Sequence, residues 1–270
     1  MDNRPIGVFD SGLGGLTAVK EFAEIMPGED IVYFGDTGRV PYGTRSRETI
    51  IKYAKQDVAF LKSKNVKMIV AACGTVSSVA DGMDLGGDVP FTSVLKPTAA
   101  AAAAATKNGR VGIIGTPATI GSGSYRRELS SIDTGLEVFE QSCPLFVPLV
   151  ENGFIGEDNE ITRLTAEYYL AGMRKYGIDT LIMGCTHYPI IKKTIASVIG
   201  KDVSLIDSGR ETAIYCRKLM EKRGMLSESA GSGKYSFYVS DTTEGFSKIA
   251  GLFLGKSVDG KVRRVNIEMY

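Results

Sequence analysis

Tryptophan is absent from the 270 residues, and histidine occurs once, as His187. One histidine cannot build a histidine-rich metal centre. The four cysteines, Cys73, Cys143, Cys185 and Cys216, are too few and too scattered for a disulfide scaffold. No C-x-x-C pair is present, so a structural zinc site is not expected, and no residue is assigned as a metal ligand. No apolar run is as long as a membrane span, so no membrane partner is expected. The first five residues run almost directly into an apolar strand and lack the long apolar core of a signal peptide, which leads us to expect a cytoplasmic protein. Charge of one sign is also lacking: 32 Lys and Arg against 31 Asp and Glu leave +1, which gives no electrostatic case for nucleic acid as a partner.

What is present is ordinary for a globular chain, 43% hydrophobic and 23% charged. Short apolar runs alternate with helical patterns. Ile6 to Phe9 reads as a strand, followed by a glycine-rich turn at 10–15 and helical spacing from Leu16 to Met26. Asp30 to Phe34 is a second strand, and Ser46 is positioned to cap a helix running to about Lys64. Lys67 to Ala72 is a buried strand that delivers Cys73. The same rhythm returns later. An alanine-rich helix over Thr98–Thr106 is opened by Pro97, and a strand spans Arg110–Gly115. A hydroxyl- and glycine-rich turn follows at Thr116–Gly123. Then come a helix over Ile161–Tyr176 and a strand, Thr180–Gly184, that delivers Cys185. This βαβ rhythm predicts an α/β fold with parallel sheets covered on both faces.

The halves resemble each other. Residues 68–75 (MIVAACGT) answer 181–187 (LIMGCTH), and 6–12 (IGVFDSG) answer 111–117 (VGIIGTP). We therefore expect two similar doubly wound parallel-sheet lobes related by a pseudo-twofold. Open parallel sheets bind ligands beyond the carboxyl ends of their strands, so Cys73 and Cys185 should face each other across one cleft.

A single buried cysteine is more often a small hydrophobe than a reagent. Two cysteines in matching strand-end contexts point the other way. A thiol at such a position can sit at a helix start, where backbone amides favour thiolate. Asp10, at the equivalent strand end, is placed to assist Cys73, and His187 to assist Cys185. Cys143 and Cys216 have no such context and read as packing residues. The 10–15 loop is not a dinucleotide fingerprint, because its glycines are at 12, 14 and 15 and position 17 is threonine. It is either an anion cradle or a plain strand-to-helix turn. The tripeptide at 255–257 (GKS) is no P-loop, since Ala250 stands where that motif needs glycine. Tyr42 and Gly43 after Pro41 are either substrate-facing or only a turn. Glu151 sits in a glycine-containing loop, where the default is solvent exposure.

Six segments, in order, carry a resemblance over roughly residues 5–256: GVFDSGLGGLT (7–17), GDTGRVPYG (35–43), AACGT (71–75), CPLFVPLVENG (143–153), GCTHYP (184–189) and FYVSD (237–241). Together they resemble the glutamate racemases, cofactor-independent members of the aspartate/glutamate racemase superfamily. The resemblance implies a two-base reaction without cofactor. Cys73 would take the α-proton from D-glutamate and Cys185 from L-glutamate, the opposite thiol returning a proton. Asp10 and His187 would assist. Asp10, Ser11, Pro41, Tyr42, Gly43, Gly74, Thr75, Glu151, Thr186 and His187 would contact substrate. It also implies a homodimer, D-glutamate supply to peptidoglycan synthesis, and a tail that returns to the first lobe. On that reading residues 1–96 plus 208–270 form the lobe carrying Cys73, and 97–207 the lobe carrying Cys185. Two positions depart from the family: Gly74 stands where asparagine is usual, and Lys96 where glutamate is common.

Other readings remain open at this level. A sister racemase of the superfamily acting on aspartate or another 2-substituted acid would carry the same cysteines. A non-catalytic binding or regulatory protein on this fold would hold inert thiols. A thiol hydrolase built on Cys185 and His187 would leave Cys73 without a role.

Overall fold

The computed structural model describes residues 1–228, 231–255 and 261–270. The Gly- and Ser-rich stretch Ser227–Gly233 reads as a loop in sequence; part of it, and Lys256 and Ser257 of the GKS tripeptide, lie outside the described residues. Along the chain the elements are β1 (Ile6–Asp10), α1 (Leu16–Ile25), β2 (Ile31–Gly35), α2 (Arg47–Ser63), β3 (Met68–Ala71), α3 (Gly74–Val79), β4 (Phe91–Ser93) and α4 (Leu95–Ala105). There follow β5 (Arg110–Gly115), α5 (Pro117–Ser122), α6 (Ser124–Ile132), β6 (Glu137–Ser142), α7 (Phe146–Glu151), α8 (Glu160–Lys175) and β7 (Thr180–Met183). The last are α9 (Lys192–Ile199), β8 (Ser204–Asp207), α10 (Ser208–Lys222), β9 (Tyr235–Val239), α11 (Thr243–Leu254) and β10 (Val262–Arg264).

The strands form two sheets, ordered β10-β9-β2-β1-β3-β4 and β6-β5-β7-β8, and every pairing among the described residues is parallel. This is the expected α/β architecture of two parallel sheets with interleaved helices. Side chains alternate faces along each strand. Ile6, Val8, Tyr33, Met68 and Val70 of the larger sheet therefore join Ile114, Leu181 and Met183 of the smaller one in a central core. Phe9, Phe34, Ile69 and Ala71 pack outward with α2. Val111, Ile113 and Ile182 pack outward among residues of α4 and α6. Buried on both faces, such strands read in sequence as continuous apolar runs. The one deeply buried lysine or arginine on this frame, among the described residues, is Lys67. Its ammonium pairs with Glu29 at 2.5 Å and donates to the carbonyls of Asp2 and Met225.

Three local expectations change. The 116–123 segment is helical, not a turn: Thr116 accepts from the Thr119 amide, Pro117 occupies the first helical position, and left-handed Gly123 links α5 to α6. The alanine-rich helix begins at Leu95, because Pro97 falls in the first turn, where a missing N–H is harmless. The sequence from Val262 to Ile267 reads as a last strand, but the strand ends at Arg264, because Asn266 caps a 3-10 turn by accepting from Glu268. Among the described residues no helix is long and apolar enough to cross a membrane, and no group of three or more His, Cys, Asp or Glu could hold a metal ion.

Candidate active site

β3 and β7 each end at a short turn carrying a cysteine. Cys73 is the N-cap residue of α3, and Cys185 lies between β7 and a 3-10 turn over Tyr188–Ile191. The strands belong to different sheets, yet both cysteines line one cavity of about 300 Å³. Of the residues proposed from sequence, Ser11, Pro41, Tyr42, Gly43, Gly74, Thr75, Glu151, Thr186 and His187 also line it. Asp10 does not. It is buried beneath the cavity, its carboxylate accepting from the Gly12 amide at 2.9 Å and the Thr186 hydroxyl at 3.4 Å. Cys143 and Cys216 are fully buried in the central core, where burial pushes both thiols far up.

The two cysteines have different neighbours. The Cys73 thiol donates to Ser11 Oγ at 3.6 Å. Burial, then the charge of Asp10, pushes it up to about 12, against the opposing contacts of Val76 and Ser11. The α3 amides therefore do not suffice to make a resting thiolate, and Cys73 rests as a proton donor. Burial also raises Asp10, opposed by His187, the amides of Gly12 and Gly15, and Thr186. A carboxylate so raised is a stronger proton acceptor beside the thiol.

Cys185 Sγ lies 3.8 Å from His187 Nδ1, and Nε2 of the same ring lies 3.0 Å from Glu151 Oε1. Burial pulls His187 down, but the contacts with Cys185 and Glu151 outweigh it and raise the ring to about 10. The imidazole is thus protonated through neutral pH. Phe253 meets it edge-on, with ring centroids 5.7 Å apart. Glu151, in an exposed loop by default, instead lies at the end of α7 and orients this histidine.

The 10–15 loop is packed tightly against the Cys185 turn. A Cβ on Gly14 would lie 2.1 Å from Thr186 Oγ1 and 2.6 Å from His187 Nδ1. Thr17 donates to the Thr186 carbonyl at 2.9 Å. The Gly12 amide is spent on Asp10, so that amide is not free to cradle an anion. Gly74 is equally tight: a Cβ there would lie 2.3 Å from the Gly184 carbonyl oxygen.

Tyr42 is buried, and its hydroxyl donates to Asp36 and, at 3.2 Å, to Asp57. Arg39 pairs with Asp36 at 2.6 Å and Asp57 at 3.3 Å, and reaches Glu268 near the C-terminus at 3.2 Å. The Tyr42 hydroxyl is therefore committed to this buried network. Asp57 is held well above the usual carboxylate range by burial and by Asp36.

Sequence reasoning passed over Val40, Thr44, Thr116, Pro117, Pro144 and Val147 as cavity lining. Thr116 had a signal, since it follows β5 at a strand's carboxyl end. Its hydroxyl lies 3.2 Å from that of Thr75, across from the other sheet. Pro144 and Val147 had none, because tertiary packing alone brings them there.

The Asp/Glu/Hydantoin racemase family matches residues 16–216. The chain is 43% identical over 266 residues to the glutamate racemase of Geobacter metallireducens, covering 98% of this chain and 97% of that one. It is 47% identical over 253 residues to that of Chlorobaculum tepidum, covering 93% and 92%. The crystal structure of the Francisella tularensis glutamate racemase in complex with D-glutamate superposes with a TM-score of 0.91 at 39% identity, over the full length of both chains.

Proposed function

The chain belongs to the Asp/Glu/Hydantoin racemase family, and from that premise we propose that it interconverts L- and D-glutamate with two thiols as the acid and base. The observation that carries the mechanism is that Cys73 and Cys185, from different sheets, line one cavity. Racemisation removes the α-proton on one face and returns a proton on the other, and groups on two walls supply both. Cys73 acts on D-glutamate and Cys185 on L-glutamate. Asp10 accepts the Cys73 proton from beneath the cavity floor. The His187 imidazolium, oriented by Glu151, pairs with Cys185. Ser11, Pro41, Tyr42, Gly43, Gly74, Thr75, Thr186 and Thr116 bound the small-molecule substrate, Tyr42 through its ring and backbone rather than its hydroxyl. D-glutamate made here feeds peptidoglycan synthesis.

Residues 1–96 with 208–270 form one lobe on this reading, and 97–207 the other, with the first division inside the opening turn of α4. The substrate lies between them.

Incubation with each glutamate enantiomer in D2O tests the reaction. We expect the product enantiomer to carry deuterium at Cα, read by NMR and polarimetry. Absence of α-exchange in both directions would sink the racemase mechanism. Faster turnover of L-aspartate than of L-glutamate would move the substrate to the sister activity.

We also infer a homodimer, on the strength of the family resemblance. Sedimentation equilibrium should give twice the 29.0 kDa chain mass, and a single-chain mass at micromolar concentration removes the inference.

A further inference from the structure

One wall of the catalytic cavity is a short segment after β2, formed by Val40, Pro41, Tyr42, Gly43 and Thr44. Tyr42 alone of the five is buried. Among the described residues the segment's backbone bonds are local: the Arg45 amide donates to the Tyr42 carbonyl at 3.0 Å, and the Thr44 hydroxyl to the Pro41 carbonyl at 3.4 Å. Yet both of its ends meet the site. A Cβ on Gly12 would lie 3.1 Å from Val40 Cγ1, and one on Gly43 would lie 3.5 Å from Thr116 Cβ. The segment thus reaches from the turn after β1 to the end of β5 in the other sheet.

What fixes it in place is the Tyr42 side chain, and that side chain ends among charges. Asp36 and Asp57 are both fully buried, and neither they nor Arg39 lines the cavity. The Tyr42 hydroxyl donates to both carboxyls, and Arg39 meets both as well. Arg39 also donates to Gln56 at 2.6 Å and lies 4.0 Å over the ring of Tyr53, which packs 5.4 Å from the Tyr42 ring. The Asp36 amide donates to the Asp10 carbonyl at 3.0 Å, so the cluster is bonded directly to the strand end beneath Cys73. Burying two carboxyls is costly, and apolar residues of similar volume would hold Tyr42 to the core at lower cost. Directed hydrogen bonds do what packing does not: they set one position for the ring.

We propose that Asp36, Arg39 and Asp57 are positioning residues, which act through the Tyr42 hydroxyl to hold the 40–44 wall where it binds substrate. The inference rests on the racemase reading of the cavity. Asp36 takes the closer contacts, from Arg39 at 2.6 Å and from Tyr42, and balances the guanidinium. Asp57 stands off at 3.3 Å and 3.2 Å. Burial, then the Asp36 charge, holds Asp57 well above the usual carboxylate range, so it serves as a neutral acid with one donor and one acceptor. Glu268, 60% exposed, adds only a screened contact to Arg39.

The test is steady-state kinetics on both glutamate enantiomers, with hydrogen exchange of the 39–46 peptide read by mass spectrometry. Tyr42→Phe keeps the ring that lines the cavity and removes only the anchoring hydroxyl. It should raise KM about 10-fold for both enantiomers, the scale of one lost hydrogen bond, with kcat little changed. Asp57→Leu fills the same space without polar atoms and should do the same. Asp57→Asn should recover most of the loss, because an amide also offers one acceptor and a donor. A packing role would be met by leucine and not need asparagine. Exchange over 39–46 should quicken in Tyr42→Phe and Asp57→Leu. Lys62→Ala, on the same helix but paired with Asp88 at 2.6 Å, should match the wild type in every measurement. A fall in kcat at unchanged KM, or wild-type KM in Tyr42→Phe and Asp57→Leu, overturns the proposal. Wild-type exchange in those two variants also overturns it. The exchange needs no substrate, so it judges the anchor even if the wild type racemises neither enantiomer, a result that would sink the racemase reading itself.

Discussion

Serine in place of Cys73 or Cys185 lowers racemisation by at least about 10²- to 10⁴-fold in both directions, the span general acid–base groups commonly supply. Either thiol alone serves one face of the α-carbon, and a full cycle needs both. An alcohol is a far weaker acid than a thiol, so serine neither gives up nor takes the proton on the required timescale. The loss should fall mainly on kcat, because a thiol-to-hydroxyl change alters the cavity volume little. Cys216→Ser is the control. It puts a hydroxyl into the fully apolar surroundings of α10 and should lower the melting temperature while leaving kcat intact. Near wild-type turnover in either Cys73→Ser or Cys185→Ser, measured by polarimetry, refutes the two-base scheme.

Gly74→Ala and Gly74→Asn should each cut kcat/KM by about 10²-fold, the scale of loss that a displacement near 1 Å can produce at a reacting centre. The reason is steric and specific to this chain. A Cβ at position 74 falls 2.3 Å from the Gly184 carbonyl oxygen, a backbone atom in the opposite thiol-bearing turn, and 3.7 Å from the Cys185 Cα. Backbone cannot swing aside as a flexible side chain can, so the two turns must separate and carry the thiols apart. The resemblance implies asparagine at this position, so Gly74→Asn looks like a restoration. In this chain it is a wedge between the turns. Steady-state kinetics on both glutamate enantiomers checks it. Wild-type kcat/KM in Gly74→Ala shows that the turns part freely, and that the close approach plays no part in placing the thiols.

The positions most legible in sequence were those where local and tertiary demands agree. β1, β3 and β7 are continuous apolar runs because both of their faces are covered, and their carboxyl ends announced Asp10, Cys73 and Cys185. α2 was legible through its Ser46 cap, which accepts from Thr49 as expected. α5 was not, because threonine, proline and glycine are loop formers by composition; only the cap geometry shows that here they start and stop a helix. β4 and β8, at three and four residues, are too short to establish a period. In the site, the cavity-facing turns could be read from strand ends, but the descent of Asp10 below the floor could not. It follows from the Gly12 amide claiming the carboxylate, a contact set by how the loop folds back. The commitment of the Tyr42 hydroxyl was also hidden, since Asp57 is fifteen residues away and Glu268 sits at the far end of the chain.

The contact between Gly14 and Thr186 has a consequence for descent. One residue follows β1 of the larger sheet and the other follows β7 of the smaller, yet a single methyl group added at 14 would overlap the hydroxyl at 186. A lineage cannot change the first without shortening the second or loosening the turn that holds His187. The two turns are therefore sterically coupled at these positions: a side chain at 14 needs a smaller residue at 186 or a wider separation of the turns.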